Sequence, residues 1–531
     1  MTDHESISGS TIDSAPERTR LLGTLAGIGN NCNNMIGVGI FSSPGLVLTE
    51  IHSPGIALIL WAVGGIASLF GSLTYVELGS SISDGGGETV YLEKAYPRPK
   101  ALFSYTFSFT MIVAIRPAFI SAVSNIFAQY LLYLISVNER ELHPNKYIVD
   151  WTFWRLRLCS LAAIFIVTFY HIQSNKWANH INQTLTIIKT LTLLVISIIG
   201  LATIPRVIND TDTNWKNMFP SNAKISASSL TAALIPILFA YDGWNNLNYT
   251  LDEFVDPQRK LKRSNSLSVI IVTFLYLCAN IAYTNVPLSE ITNSNDPSEI
   301  IAGKFALQVG GFNLARALSF FVCLSAFGVL AANIWAGSRV IVAAAKRGYI
   351  PFSSRLRQWN RNKDTPDVAL ITQAVWSSLI VIFYPHNDPF KFFVNLSEYC
   401  VWIFLCLSAF GLLYMRHTLP NLIRPFKVWI AIPVIFIIFA LFIIIGTFVN
   451  DNAQANQQYP YYLPYVVSFG VIGVGGICWH FLYSLGYQIR LQRRTAPTTA
   501  TSTPHISMED VRTRTPVSPS EENNSNGSLS D

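Results

Sequence analysis

Charge is what this sequence has least of. Of 531 residues only 13% are Asp, Glu, Lys or Arg, against roughly 25% in a soluble domain. A soluble multidomain enzyme and a disordered regulator are therefore excluded as whole-chain readings. Cysteine is also scarce: all seven (Cys32, Cys159, Cys278, Cys323, Cys400, Cys406 and Cys478) fall in apolar segments, where no secreted disulfide framework would be built. Motifs that carry chemistry are missing. There is no phosphate-binding GxxxxGKS or GxxxxGKT, no HExxH and no paired Cys/His spacing, and the nine histidines are scattered. The sequence thus offers no enzyme, no cofactor site and no metal site. The basic excess, 37 residues against 31 acidic, is small and dispersed, with no stripe for nucleic acid. The first twenty residues place no basic region ahead of a short apolar core, so no signal peptide is expected.

Apolar length is what the sequence has instead. Half of it is hydrophobic, and twelve spans of about 20 residues need about 240. Hydropathy places spans near 24–49, 55–82, 101–136, 155–174, 180–204, 228–251, 266–287, 313–346, 367–384, 391–415, 427–449 and 462–489. The expected fold class is an all-α membrane protein with about twelve transmembrane helices. Residues 1–20 and 491–531 are polar, the latter rich in Ser, Thr and Pro, and are expected as disordered tails around a 21–490 membrane domain. Lys and Arg near span ends favour the side of both termini by about 22 to ten, which puts both termini in the cytoplasm. The sequon Asn209-Asp210-Thr211 falls in an outer loop and is a glycosylation candidate.

Two spans are interrupted at mid-depth. The first reads Asn33-Asn34-Met35-Ile36-Gly37-Val38-Gly39-Ile40-Phe41, and the sixth reads Ile235-Pro236 through Phe239-Ala240-Tyr241-Asp242-Gly243-Trp244-Asn245. Broken helices survive at that depth where they line a cavity or bind something. Breaks five spans apart suit an inverted repeat of five plus five spans, about 24–204 and 228–415, with the site at the repeat interface and two further spans at 427–489. Amides freed at a half-helix N-terminus attract a carboxylate, and freed carbonyls attract an ammonium; a zwitterionic amino acid offers both. The competing reading is that the glycines merely let helices approach closely.

Several stretches carry a family resemblance: IGVGIFSSPG (36–45), GSLTYVELGSSIS (71–83) running into GGGETVY, IRPA (115–118), FAYDGWNNLNYTLDEFVDP (239–257), SRVIVAAAKRGYIP (338–351) and RHTLPNLIRPFKV (416–428). On these the chain resembles the amino acid–polyamine–organocation superfamily, and within it the L-type amino acid transporters or fungal methionine permeases, over residues 24–450. The resemblance implies the inverted-repeat (LeuT-like) fold with helices 1 and 6 broken, and alternating access as the mechanism. It implies a substrate site of Met35, Ile36, Gly37, Val38 and Gly39, with Phe239, Ala240, Tyr241, Asp242, Gly243 and Asn245, flanked by Trp402. In it the amides of Val38 and Gly39 would hold the carboxylate. The carbonyls of Met35, Phe239 and Asp242 would hold the amino group, and Phe239 would be an aromatic gate.

Coupling candidates are Lys189, Asp242 and Glu398. Lys189 is the one lysine far from a predicted span end, and family members commonly place a lysine there, where an amine can stand in for a bound cation and exchange a proton. Asp242 and Glu398 depart from the usual L-type residues and would suit a cationic side chain or a proton; capping and structural roles compete. Glu77 and Arg116 are expected to find structural partners inside the bundle. The loop VNERELHPNKYIVDW (137–151) lacks the cysteine by which animal L-type transporters join a glycoprotein, so no obligate disulfide-linked heavy chain is expected. The partners expected are an amino acid, the lipid bilayer and protons. The functional expectation is a secondary-active permease in the plasma membrane, an antiporter or proton symporter for large neutral amino acids including methionine and leucine. A cationic amino acid or polyamine transporter is the alternative in the same class. A nutrient-sensing receptor that keeps the fold is the alternative in another.

Overall fold

In a bilayer core no water is at hand for the backbone, so an apolar run satisfies its N–H and C=O groups by coiling. The computed structural model follows that rule. It describes residues 23–82, 84–142, 153–207, 214–221, 223, 225–249, 251, 256–292, 297–360, 362–384, 389–449 and 460–484. The two tails, Asn209 and most of the 137–151 loop lie outside the described residues. Every element of any length among the described residues is a helix.

Among the described residues eight helices are long and apolar enough to cross a membrane, a bent pair counts as a ninth span, and there are three shorter apolar helices. The bent pair is the first segment, Thr24–Met35 and Gly39–Ile51, which meet at 45°. The second is Pro54–Ser81, started by Ser53, whose hydroxyl accepts from the Ile56 N–H, with proline in the first turn. The third joins Leu102–Thr110 to Arg116–Leu142 through a wide π-turn at Met111–Ile115. Phe153–Gln173 and Asn175–Val207 are the fourth and fifth. The sixth is Ala227–Tyr241, opened by a capping box between Ser226 and Ser229. Pro257–Tyr283 is the seventh, and Asp367–Phe383, Pro389–Thr418, Ala431–Gly446 and Leu463–Cys478 are the ninth to twelfth.

Four boundaries depart most from the sequence expectation. The seventh helix begins at Pro257 rather than near 266. The eighth helix begins at Ile301 rather than near 313, because Gly311, at φ 65°, bends a preliminary helix onto the membrane span without ending it. The sixth stops at Tyr241 rather than near 251. The third runs on to Leu142.

Packing follows the interval of five. The second half of the first segment lies on the sixth, the second on the seventh, the third on the eighth and the fourth on the ninth. Two five-helix repeats related by a pseudo-two-fold axis would make this set of neighbours.

A buried ion pair locks the end of the tenth segment to the second. Glu77 is fully buried, and both its oxygens accept from Arg416, at 2.9 and 2.5 Å. The Val428 N–H adds a third bond at 2.8 Å, and Arg424 stands 3.7 Å away. Two of the motifs seen in the sequence thus meet in one cluster, and Glu77 has the structural partner expected of it. Glu77→Ala leaves the Arg416 guanidinium without its carboxylate. It is expected to cost about 3–5 kcal/mol, read as a lower thermal midpoint of the detergent-purified protein.

Candidate substrate-binding site

The site grows out of two helix ends that neighbouring segments hold open. The first half-helix of segment one stops where Ile36 turns extended, at φ −68° and ψ 94°, just before two glycines that favour coil over helix. Its last carbonyls would be orphans there. Lys189 of segment five donates to the Asn33 carbonyl at 2.5 Å. The Tyr276 hydroxyl of segment seven lies 2.7 Å from the Met35 carbonyl and 2.9 Å from that of Ala240, so one proton serves the ends of both broken helices. The Asn31 amide reaches the Trp244 carbonyl at 3.1 Å and Asn265 Oδ1 at 3.0 Å.

Segment six breaks against the same point. Asp242 is its C-cap and Gly243 follows at φ 105°. A side chain on Gly243 would be strained and would also press on the backbone of Asn34, 3.0 Å from where its Cβ would sit. Gly39 is constrained likewise, with Ala240 Cα 2.5 Å from an added Cβ. These two glycines bring the breaks into backbone contact.

Beyond Gly243 the chain forms a short 3₁₀ turn, Asn246–Tyr249. Glu88, from the GGGETVY stretch, fixes it by accepting from Asn245 at 2.7 Å and from the Tyr75 hydroxyl at 3.0 Å. Asn248 adds bonds to the Tyr75 carbonyl and the Tyr91 hydroxyl. Glu88 lies in the link after segment two, and burial holds its carboxyl above the usual carboxylate range, while hydrogen bonds from Tyr249, Tyr75 and Asn245 pull it down.

A cavity of about 80 Å³ opens between these elements. Asn34, Asp242, Gly243 and Asn245 bring the two breaks to it. Phe107, Met111, Ile115, Arg116 and Phe119 form the segment-three wall, and Asn333, Glu398, Val401 and Phe404 the wall from segments eight and ten. Arg116 donates to Asn333 Oδ1 at 2.9 Å. Glu398 is 2% exposed, and its Oε1 finds no hydrogen-bond partner. The cavity extends toward Glu88 and Tyr249, on the side where segment one begins. The opposite side is shut. There the Phe239 ring packs 4.8 Å from Phe119 and 5.7 Å from Phe390 between centroids, and a 2.5 Å ion pair of Glu50 with Lys391 ties segment one to segment ten.

Of the residues expected from sequence, Asp242, Gly243, Asn245 and Glu398 line this cavity. Met35 and Ala240 meet under Tyr276. Ile36, Val38 and Gly39 are buried at the junction of the halves, and Gly37 faces Val329 of segment eight. Phe239 caps the shut side. Tyr241 turns away, donating to the Trp61 carbonyl at 3.1 Å. Trp402 does not line the cavity; its ring packs against Phe436 and Phe439 and its side chain hydrogen-bonds to Glu398, at the edge of the cavity-facing stripe through Glu398, Val401 and Phe404. Sequence reasoning did not single out Tyr276, Asn333 or Glu88; Arg116 has the partner inside the bundle expected of it, Asn333, and also lines the cavity. The signal for Arg116 was present, a charge at bilayer depth beside a proline; Tyr276 and Asn333 lie outside the recognised motifs.

Two helix ends meeting at a cavity inside a bundle of apolar helices define a membrane transporter rather than an enzyme. A family model described as an amino acid permease matches residues 22–472. The chain belongs to that family, within the amino acid–polyamine–organocation superfamily, and its relatives are amino acid transporters of the L-type group. It is 30% identical over 431 residues to the cystine/glutamate transporter of Homo sapiens, 80% of each chain. It is 28% identical over 480 residues to the b(0,+)-type amino acid transporter 1 of Mus musculus, 89% of this chain and 90% of the other. With the large neutral amino acids transporter small subunit 2 of Mus musculus it shares 28% identity over 431 residues, 80% and 75%.

Tyr276→Phe removes the one hydroxyl between the two helix ends and leaves the Met35 and Ala240 carbonyls without it. It is expected to cost about 1–3 kcal/mol. Amino acid uptake by reconstituted protein should fall while the chain still folds, as read by size-exclusion profile and thermal midpoint.

Proposed function

We propose that this permease carries neutral amino acids, large ones such as methionine and leucine among them, by alternating access. The amino acid head would lie at the two breaks, with its carboxylate toward the freed amides of Val38 and Gly39 and its ammonium toward the carbonyls of segment six. The observation that carries the side-chain preference is the apolar wall of Phe107, Met111, Ile115, Phe119, Val401 and Phe404, which offers a long uncharged side chain dispersion contacts and release from water. Arg116 donates to Asn333 Oδ1 and has the Asp242 carboxyl beside it in the same cavity, so part of its charge is met inside the protein, while its Nε has no hydrogen-bond partner. In this reading Phe239 is the gate on the shut side. Lys189, which joins segments five and one, carries the coupling proton if transport is symport rather than exchange. The basic bias of the segments on the side of the termini supports a cytoplasmic N-terminus and C-terminus, and the family supports the plasma membrane.

One observation favours a second reading. Glu398 brings a buried carboxylate with an unpartnered oxygen into the cavity, and an ammonium-bearing side chain would meet it. Lysine would then be the better substrate.

Uptake of radiolabelled leucine, methionine, lysine and glutamate by purified protein in liposomes separates these readings. Leucine and methionine are expected to be saturable and mutually competitive, with lysine at least about tenfold poorer. Lysine preferred over leucine, and lost in Glu398→Gln, would establish the cationic reading. Acceleration by internal amino acid identifies exchange. Acceleration by an inward proton gradient, absent in Lys189→Ala, identifies symport. Tight binding with no uptake under any condition would point to a receptor.

A further inference from the structure

Segment three presents its cavity wall in an unusual way. Phe107, Met111, Ile115 and Phe119 are four residues apart and all line the cavity. In an uninterrupted α-helix, at about 100° per residue, Phe107 and Phe119 would point about 120° apart. The π-turn at Met111–Ile115 holds one extra residue and takes back about 100°, which brings them to within about 20° of each other. The same rotation places Arg116 on the cavity, where it reaches Asn333.

Such a wide turn lasts only if the carbonyls it frees are satisfied at bilayer depth. The residue four beyond Val113 is Pro117, which has no N–H to give. The Val113 carbonyl therefore loses its ordinary α-helical donor. Trp376 supplies another: its indole Nε1–H donates to the Val113 carbonyl at 2.9 Å from segment nine. Trp376 is 42% exposed on the outside of the bundle and is not among the cavity-lining residues. Segment nine itself packs on segments three, four and eight, so the donor is held from a fixed platform.

We propose that Trp376 is a positioning residue for substrate: its indole N–H, together with Pro117, holds the π-turn of segment three open and so aims the apolar wall and Arg116 at the substrate side chain. The proposal rests on the large-neutral reading for its choice of substrates. Without the indole N–H, and with Pro117 offering none, the Val113 carbonyl can turn only to the Arg116 N–H three residues on or the Ala118 N–H five residues on. Taking either rewinds the turn and rotates Phe107 and Met111 relative to Phe119. A large side chain then loses contacts. Alanine, held almost wholly by its head at the breaks, does not.

The test is uptake of leucine and of alanine by wild type, Trp376→Phe and Pro117→Ala in liposomes, with thermal midpoints for each. Trp376→Phe keeps ring bulk and removes only the N–H. KM for leucine is expected to rise about tenfold, the scale of one lost positioning hydrogen bond, with KM for alanine within about twofold. Pro117→Ala restores an N–H that can close the turn, and is expected to shift the leucine-to-alanine ratio in the same direction; adding Trp376→Phe to it should do little more. An equal fall for both substrates in Trp376→Phe would show a merely structural tryptophan and overturn the proposal, as would an unchanged ratio. Should Trp376→Phe fail to fold, the ratio in Pro117→Ala decides by the same criterion. Wild-type protein that carries alanine but no leucine would overturn the large-neutral reading instead; the clamp is then tested with the largest substrate the wild type does carry.

Discussion

Backbone polar groups at bilayer depth must be satisfied, and the interruption of two helices at one point turns that requirement into the organising constraint of this protein. Tyr276, Lys189 and Asn31 each come from a different segment and each spends a hydrogen on the ends of the broken helices. These three side chains tie segments one, five, six and seven together around the breaks. Their reach is limited: a single tyrosine proton stands between two carbonyls, each with a second lone pair. The breaks are thereby held without a ligand, and under the proposed function the remaining lone pairs are what an amino acid would engage. A helix end fully satisfied by protein would have no use for an amino acid, and one left fully open would not persist.

The polar and apolar parts of the site divide by direction. On one side of the breaks the Phe239, Phe119 and Phe390 rings pack by dispersion, with the Glu50 and Lys391 ion pair beyond them. On the other side a hydrogen-bonded cluster around Glu88 fixes the second half of segment six. An aromatic layer separates with little directional cost, whereas the Glu88 cluster must exchange several oriented bonds before that side can rearrange. The two sides are built of different interactions, and the cavity takes its outer walls from segments three, eight and ten.

Much of the fold was legible because its signals are long. The apolar runs located all the segments, and the glycine, asparagine and aspartate residues inside two of them marked the breaks. The pairing of Glu77 with the RHTLPNLIRPFKV stretch was foreshadowed only as an intramembrane charge in need of a partner. What stayed hidden depends on angles and neighbours. Trp402 and Val401 are adjacent in sequence, yet the helical rotation puts Val401 on the cavity and Trp402 off it. Gly311 bends a helix that hydropathy had left outside the span. Tyr276 looks like any of 22 tyrosines until two carbonyls converge on it. The π-turn before Arg116 left only Pro117 as a trace, and its other support, Trp376, lies some 260 residues further along the chain.

The central claim is that the two breaks act together on both ends of an amino acid. Counterflow of radiolabelled leucine into preloaded liposomes, challenged with leucine, leucinamide and N-acetyl-leucine, tests it most directly. The account predicts that leucine competes while both blocked compounds fail, since one lacks the carboxylate for the freed amides and the other the ammonium for the freed carbonyls. Competition by either blocked compound at the same concentration as leucine would contradict it.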